Sequence, residues 1–267
     1  MMCYSTSNRE KSQSQMEREL EAQLRHSNQY RFYFWMNGFS HGEFNAVTQE
    51  DPKHIEVMKW GIVEPNTQNV EERWKILRGK SLNTQSEHVF ENARTEDAIL
   101  DRRCIVPVTG YFEPYYVKKD SYPHLVKPIH ETYLGLLGVY NVIDGVRYTS
   151  ILTTDANGFM LHVHNQKKRQ PIMLDPYYWG DWLDSSINEG QIRQLMFQCD
   201  TEQEMEAFTV LRTATTGNKP NNVPEVLEPL HFPEVVAQQK FDIKQMETYN
   251  DNLDNLNAGF GTSTLFG

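Results

Sequence analysis

The chain is expected to fold as an α+β domain. Strand-like and helix-like stretches are interspersed without the regular alternation of a βαβ fold, a tight hairpin marks the middle of the sequence, and the composition is that of a packed core. The hairpin signal is Asp144-Gly145 between the apolar, β-branched runs LGVYNVI and VRYTSIL, the sequence of a two-residue type I′ turn. Hydrophobic residues make up 39% and aromatic residues 12% of 267 positions, enough for one sizeable core and too many for a disordered chain. A single domain over residues 2–232 is expected.

From residue 8 to 26 the sequence is rich in helix formers and charges, with Met16, Leu20 and Leu24 spaced i, i+4, i+8, and reads as one surface helix within that domain. An aromatic, loop-like stretch, YRFYFWMNGFSHGEF, precedes a short strand, MKWGI, that ends near Pro65. The segment TQSEHVFENARTEDAI reads as helical, with Thr84 or Ser86 as its cap. Strand character returns in RRCIVPVTGYFEPYYV and in the central hairpin, and helical character around DPYYWGDWLD and INEGQIRQLMFQ. Residues 233–267 lack periodicity, are rich in Asn, and are expected to be a disordered tail.

Several function classes are disfavoured at once. Neither an eighteen-residue apolar run nor a basic segment followed by an apolar stretch is present, so no membrane association and a cytoplasmic location are expected. The cysteines at 3, 104 and 199 are odd in number and widely spaced, which fits neither a disulfide framework nor a zinc site. A formal net charge of -10 argues against a broadly electropositive surface and leaves room only for a local basic groove.

Four segments carry reactive side chains in apolar surroundings: MCYS, ENAR, GYFEP and LHVHNQKKRQP. Glu113 follows Val-Thr-Gly-Tyr-Phe and precedes Pro-Tyr-Tyr, so desolvation is expected to raise its pKa towards the range useful for proton transfer. His162 and His164 would share one face of a strand. With no third ligand nearby, a single catalytic histidine is expected, without metal or cofactor. Lys167, Lys168 and Arg169 form a basic cluster suited to phosphate.

Taken in order, these segments resemble the SOS response-associated peptidase (SRAP) family, whose members sense abasic sites in single-stranded DNA. The matching pieces are Met2-Cys3, MKWGI at 58–62, NARTE at 92–96, RCIVPVTGYFE at 103–113, LTTDAN at 152–157 and His164 to Pro171. The resemblance implies one compact, barrel-like domain of twisted, mixed but mainly antiparallel sheets with peripheral helices. It implies that Cys3, exposed as the first residue of the mature chain, captures the aldehyde of a ring-opened abasic site. The product would be a thiazolidine joining protein and DNA.

By the same resemblance, Glu113 holds or shuttles a proton, Asn92 positions the cysteine, and His164 acts as acid or base on the sugar oxygen. Arg94 and Arg169 would bind phosphate, Trp60 would stand beside the DNA channel, and the protein would act as a monomer. The departures are Tyr4-Ser5 where the family has Gly-Arg, Pro114 where Trp is usual, Gln170 where Met is usual, Asn-Gln-Lys-Lys inserted after His164, and Met1 ahead of Met2. Methionine aminopeptidase requires a small second residue, so translation from Met2 is expected. Two other readings remain open: a cysteine peptidase that trims its own N-terminus, and a non-catalytic single-strand binding module.

Overall fold

The computed structural model describes residues 4–9, 12–130, 132–197, 204–215 and 222–240. Its fourteen strands are β1 Ser5–Asn8, β2 Gln23–Leu24, β3 Tyr33–Asn37, β4 Glu43–Thr48, β5 His54–Trp60, β6 Asn83–Gln85, β7 Arg103–Val108, β8 Gly110–Val117, β9 Asp120–Pro128, β10 Leu134–Ile143, β11 Val146–Asp155, β12 Arg169–Pro171, β13 Met173–Leu174 and β14 Met205–Thr209. The α-helices are α1 Gln13–Glu19, α2 Val70–Leu77, α3 Ala98–Asp101, α4 Gly158–Val163, α5 Trp179–Leu183 and α6 Glu189–Phe197, with residues 233–240 also helical. The class is α+β, as expected.

Five strands close on themselves. β11 pairs β10, β10 pairs β7, β7 pairs β4, β4 pairs β5, and a short parallel contact of Tyr148 and Thr149 with Lys59 and Trp60 joins β5 back to β11. Closure leaves these strands no free edge. Asp144 and Gly145 take φ of 50° and 77° at the β10–β11 turn, the two positive values that a type I′ hairpin requires.

Period-two alternation sends Phe44, Met58, Trp60, Cys104, Val106, Leu136, Tyr140 and Ile151 into one core. Neighbours such as Val47, Ile55, Ile105 and Leu137 face a second core, roofed by Met16 of α1, Ile99 of α3, Trp182 of α5 and Ile192 of α6. A second sheet, in the order β14-β9-β8-β1-β3, lays Tyr111 and Val126 on the open side of the first core.

The expected helix over 8–26 is shorter. β1 already pairs with β3 and β8 at its start, and Leu24 belongs to β2, which pairs with β5. What remains helical is α1, capped by the Ser12 hydroxyl accepting from the Gln15 N–H. Its Met16 is fully buried, so the helix covers a core.

The expected tail also begins in structure: residues 233–240 are helical, and Val235 packs against Tyr115 and Tyr122. Residues 241–267 and Cys199 lie outside the described residues. Among the described residues no helix is long and apolar enough to cross a membrane.

Candidate active site

Glu113 sits in the middle of β8 with no exposed surface. β1 lies antiparallel to β8 with Ser5 opposite Phe112, so one further step of that register brings Tyr4 level with Glu113. Cys3 lies outside the described residues; its link to Tyr4 is covalent. The Tyr4 carbonyl accepts from the Gly38 N–H at 2.7 Å, and a side chain on Gly38 would meet Leu82 and Trp60 at 3.0 Å.

His164 caps the C-terminal end of α4, and it too is completely enclosed. The two histidines therefore do not share a strand face: His162 lies in the last turn of α4 and is exposed. Three contacts fix His164. The Asn157 side chain caps α4 by accepting from the Met160 N–H at 2.8 Å. The Asn157 N–H in turn donates to the Gln170 side chain at 2.8 Å. Asn165 docks on Tyr116 of β8 like a strand partner, accepting from its N–H at 3.0 Å and donating to its carbonyl at 2.8 Å. Gln170 and Asn165 are both departures from the family pattern, and both serve as anchors here.

The result places His164 Nδ1 3.6 Å from Glu113 Oε2. Nδ1 also faces the Arg169 carbonyl at 3.3 Å, which can only accept. Nδ1 therefore carries the hydrogen, and the Nε2 lone pair is left open. Nε2 is buried without a hydrogen-bond partner among the described residues. Desolvation pulls the His164 pKa down to about 4, so the ring is a neutral base at physiological pH.

The carbonyl that sets this tautomer is itself clamped. The Arg169 guanidinium bonds to both oxygens of Glu87 at 2.5 and 2.8 Å, to Asp155 at 2.8 Å and to the Thr153 carbonyl at 2.9 Å. Burial is the largest single influence and works against its charge, but the bonds to Glu87 and Asp155 with their negative charges together outweigh it and raise the pKa. Instead of the free guanidinium expected for phosphate, Arg169 presents an ion-paired brace; only 11% of its side chain is exposed.

Asn92 and Arg94 are not brought to this pair. The Asn92 side chain accepts from the Arg94 N–H at 3.1 Å and shapes a turn leading to α3. The Arg94 carbonyl accepts from Asn141, which lies opposite Tyr148 near the hairpin end of β11. Arg169 pairs with Asp155 at the other end, seven residues away, roughly 23 Å along an extended strand. Half-buried Arg94 has its charge disfavoured by desolvation.

A second Asn-x-x-x-Glu pentad, Asn83-Thr-Gln-Ser-Glu87, supplies Glu87 to the clamp and holds Asn83 in β6, opposite Ile151. The residue before it, Leu82, is one of the two that crowd Gly38 beside Tyr4. The expectation of a helix from Thr84 hid this pentad. Residues 83–85 form a strand because they add to the β11 edge in parallel, a pairing that local sequence does not encode.

Trp60 is wholly buried, with its indole N–H donating to the Leu82 carbonyl at 2.8 Å and its ring 4.8 Å from Phe44. It is a core pillar and has no face for DNA. Phe39 is 49% exposed beside the N-terminal strand, its ring 4.7 Å from that of Tyr4 and resting on Gly79. Around it α2 and its C-terminal turn carry exposed Lys75, Arg78 and Lys80. Among the described residues none of these three is in an ion pair, whereas Arg25, Arg31, Arg73, Arg147, Arg169 and Arg212 all are.

Cys104 is enclosed in the barrel, as expected of a core cysteine, and burial pushes its thiol up to about 12. Among the described residues no cluster of three His, Cys, Asp or Glu could hold a metal.

The family model of the SOS response associated peptidase (SRAP) matches residues 2–215, and the chain belongs to that family. A curated relative, abasic site processing protein YMR114C of Saccharomyces cerevisiae, is 24% identical over 194 residues, which cover 70% of this chain and 50% of the relative. The chain thus spans about half the length of that relative. In fold it is similar to a crystal structure of a protein from Bacteroides thetaiotaomicron, with TM-score 0.75, 24% identity, and 86% of this chain and 100% of the other covered. A protein from Bordetella bronchiseptica superposes with TM-score 0.65 at 17% identity over 78% of this chain and 100% of the other.

Proposed function

We propose that the protein captures abasic sites in single-stranded DNA through Cys3, forming a thiazolidine. The observation that carries the reading is the enclosed Glu113–His164 pair, 3.6 Å apart, on the strand step where the chain leads back to Cys3. Family membership and the yeast relative named for abasic site processing support the substrate class.

The chemistry needs both nucleophiles of an N-terminal cysteine. Its amine adds to C1′ of the ring-opened sugar and loses water to give an imine. The thiol sulfur then adds to the same carbon while its proton passes to nitrogen, closing a five-membered ring. A terminal amine with a pKa of about 7.7 to 8.0 is partly neutral near pH 7, and ring closure is intramolecular, which favours it by a large effective molarity. Glu113 relays protons at the carbon under attack. His164, with Nε2 open, takes or returns the proton on the sugar oxygen, and Asn83 is better situated than Asn92 to hold the N-terminal residue.

For the DNA itself, Tyr4 and Phe39 offer a stacking face, and Lys75, Arg78 and Lys80 offer phosphate contacts. A local basic rim of this kind reconciles DNA binding with a net charge of -10.

A denaturing gel tests the reading. Protein beginning at Cys3 is incubated with an oligonucleotide carrying one abasic site. A heat-stable shifted band that disappears in Cys3→Ala is expected. Reversible binding that survives Cys3→Ala with no shifted band would instead leave a binding module, and loss of an N-terminal extension dependent on Glu113 would favour self-processing.

A further inference from the structure

The family match ends at residue 215, yet the chain beyond it returns to the back of the site. Pro233 opens the helix over 233–240, where its missing N–H costs nothing. Phe232, Val235 and Gln239, spaced i, i+3, i+7, turn inward, while Pro233, Glu234, Ala237 and Lys240 are exposed. Phe232 packs edge-on against Tyr122 at 5.1 Å, Val235 is buried against Tyr115 and Tyr122, and the Tyr122 hydroxyl donates to Glu234 at 2.9 Å.

The last inward residue reaches both halves of the candidate site. Gln239 Nε2 donates to His124 Nε2 at 3.2 Å and makes a longer contact, 3.5 Å, to the carbonyl of His162. His124 is the direct cross-strand partner of Glu113. Side chains so paired share a face, with Cβ atoms about 5 Å apart. His162 lies in the last turn of α4, two residues ahead of His164.

The amide is matched to what it meets. His124 Nδ1 faces the Tyr122 carbonyl at 3.2 Å and so carries the ring hydrogen, leaving Nε2 as the acceptor that Gln239 satisfies. His124 is 3% exposed, and burial pulls its pKa down to about 4, so it meets the amide as a neutral acceptor.

We propose that Gln239 is a positioning residue. Carried on a helix beyond the family-matched region, it ties His124, beside Glu113, to the helix that delivers His164, and so sets the spacing of the catalytic pair. The inference rests on the reading of Glu113 and His164 given above.

The test uses the full chain and a double-mutant cycle of Gln239→Leu and His124→Phe, reading the adduct-formation rate at saturating abasic oligonucleotide separately from the half-saturating concentration. Gln239→Leu keeps the bulk and removes the donor. It is expected to lower the saturated rate about fivefold, since small misplacements are costly in a preorganised site, and to leave half-saturation unchanged. In the His124→Phe background the same change is expected to alter the rate by less than about twofold, because the coupled partner is already gone.

A parental rate for Gln239→Leu overturns the proposal, as do losses that multiply independently in the double variant, which would mark a purely structural role. Glu113→Gln is the control for the underlying reading. If it crosslinks at the parental rate, the assignment of the pair fails irrespective of Gln239.

Discussion

Lowering the pH from 7 to 5 is expected to destabilise the fold through two buried imidazoles. His124 and His164 are 3% and 0% exposed, and burial brings each pKa down to about 4 from an ordinary 6.5. Between those values the unfolded chain binds protons that the folded chain refuses, so stability is complete above pH 6.5 and falls as the pH drops towards 4. Integrating the proton difference from pH 7 to pH 5 gives about 2 kcal/mol for each ring, hence about 4 kcal/mol together. The lowered carboxylates Asp51, Glu64 and Glu87 titrate below this window and do not mask it. Urea unfolding at half-unit steps of pH reads the slope directly, and His124→Phe should remove about half of it. A stability that is flat from pH 7 to 5, or a slope unchanged by His124→Phe, would refute the claim that both rings are held neutral by burial.

Three further outcomes follow from the placement of individual side chains. Asn83→Ala should slow adduct formation at saturating DNA, while Asn92→Ala leaves it unchanged; the reverse pattern in a time course of the shifted band would return the role to residues 92–96. Arg78→Ala and Lys80→Ala should each weaken binding and flatten the dependence of log K on log salt by about 0.7 per lost phosphate contact, while Arg94→Ala, seated by Asn141 at the far end of β11, changes neither. Glu87→Gln frees Arg169 from its bidentate partner and should lower the crosslinking rate through the carbonyl that orients His164, with DNA affinity unchanged or raised.

How far the sequence could be read depended on whether the deciding interactions were local. The Asp144-Gly145 turn was legible because its φ values are a property of two residues. The burial of Glu113 was legible because it stands in an apolar run. The barrel closure was not, since the parallel contact between β5 and β11 joins residues about ninety positions apart.

Two pentads with the same Asn-x-x-x-Glu spacing begin nine residues apart. The one with an arginine drew the assignment, while the ladder to β11 holds the other, 83–87. Trp60 looked available because strand alternation does not say which face is the inside of a closed ring. Helix 233–240 was missed because it is short and its one fully buried residue, Val235, is set by long-range packing on Tyr115 and Tyr122.

The most direct measurement of the central claim is the mass of the N-terminal peptide isolated from the DNA adduct. The account predicts a peptide that begins at Cys3, carries the sugar remnant with a net loss of one water, and has neither a free amine nor an alkylatable thiol. A peptide that retains methionine ahead of Cys3, or an adduct on any other residue, would contradict it.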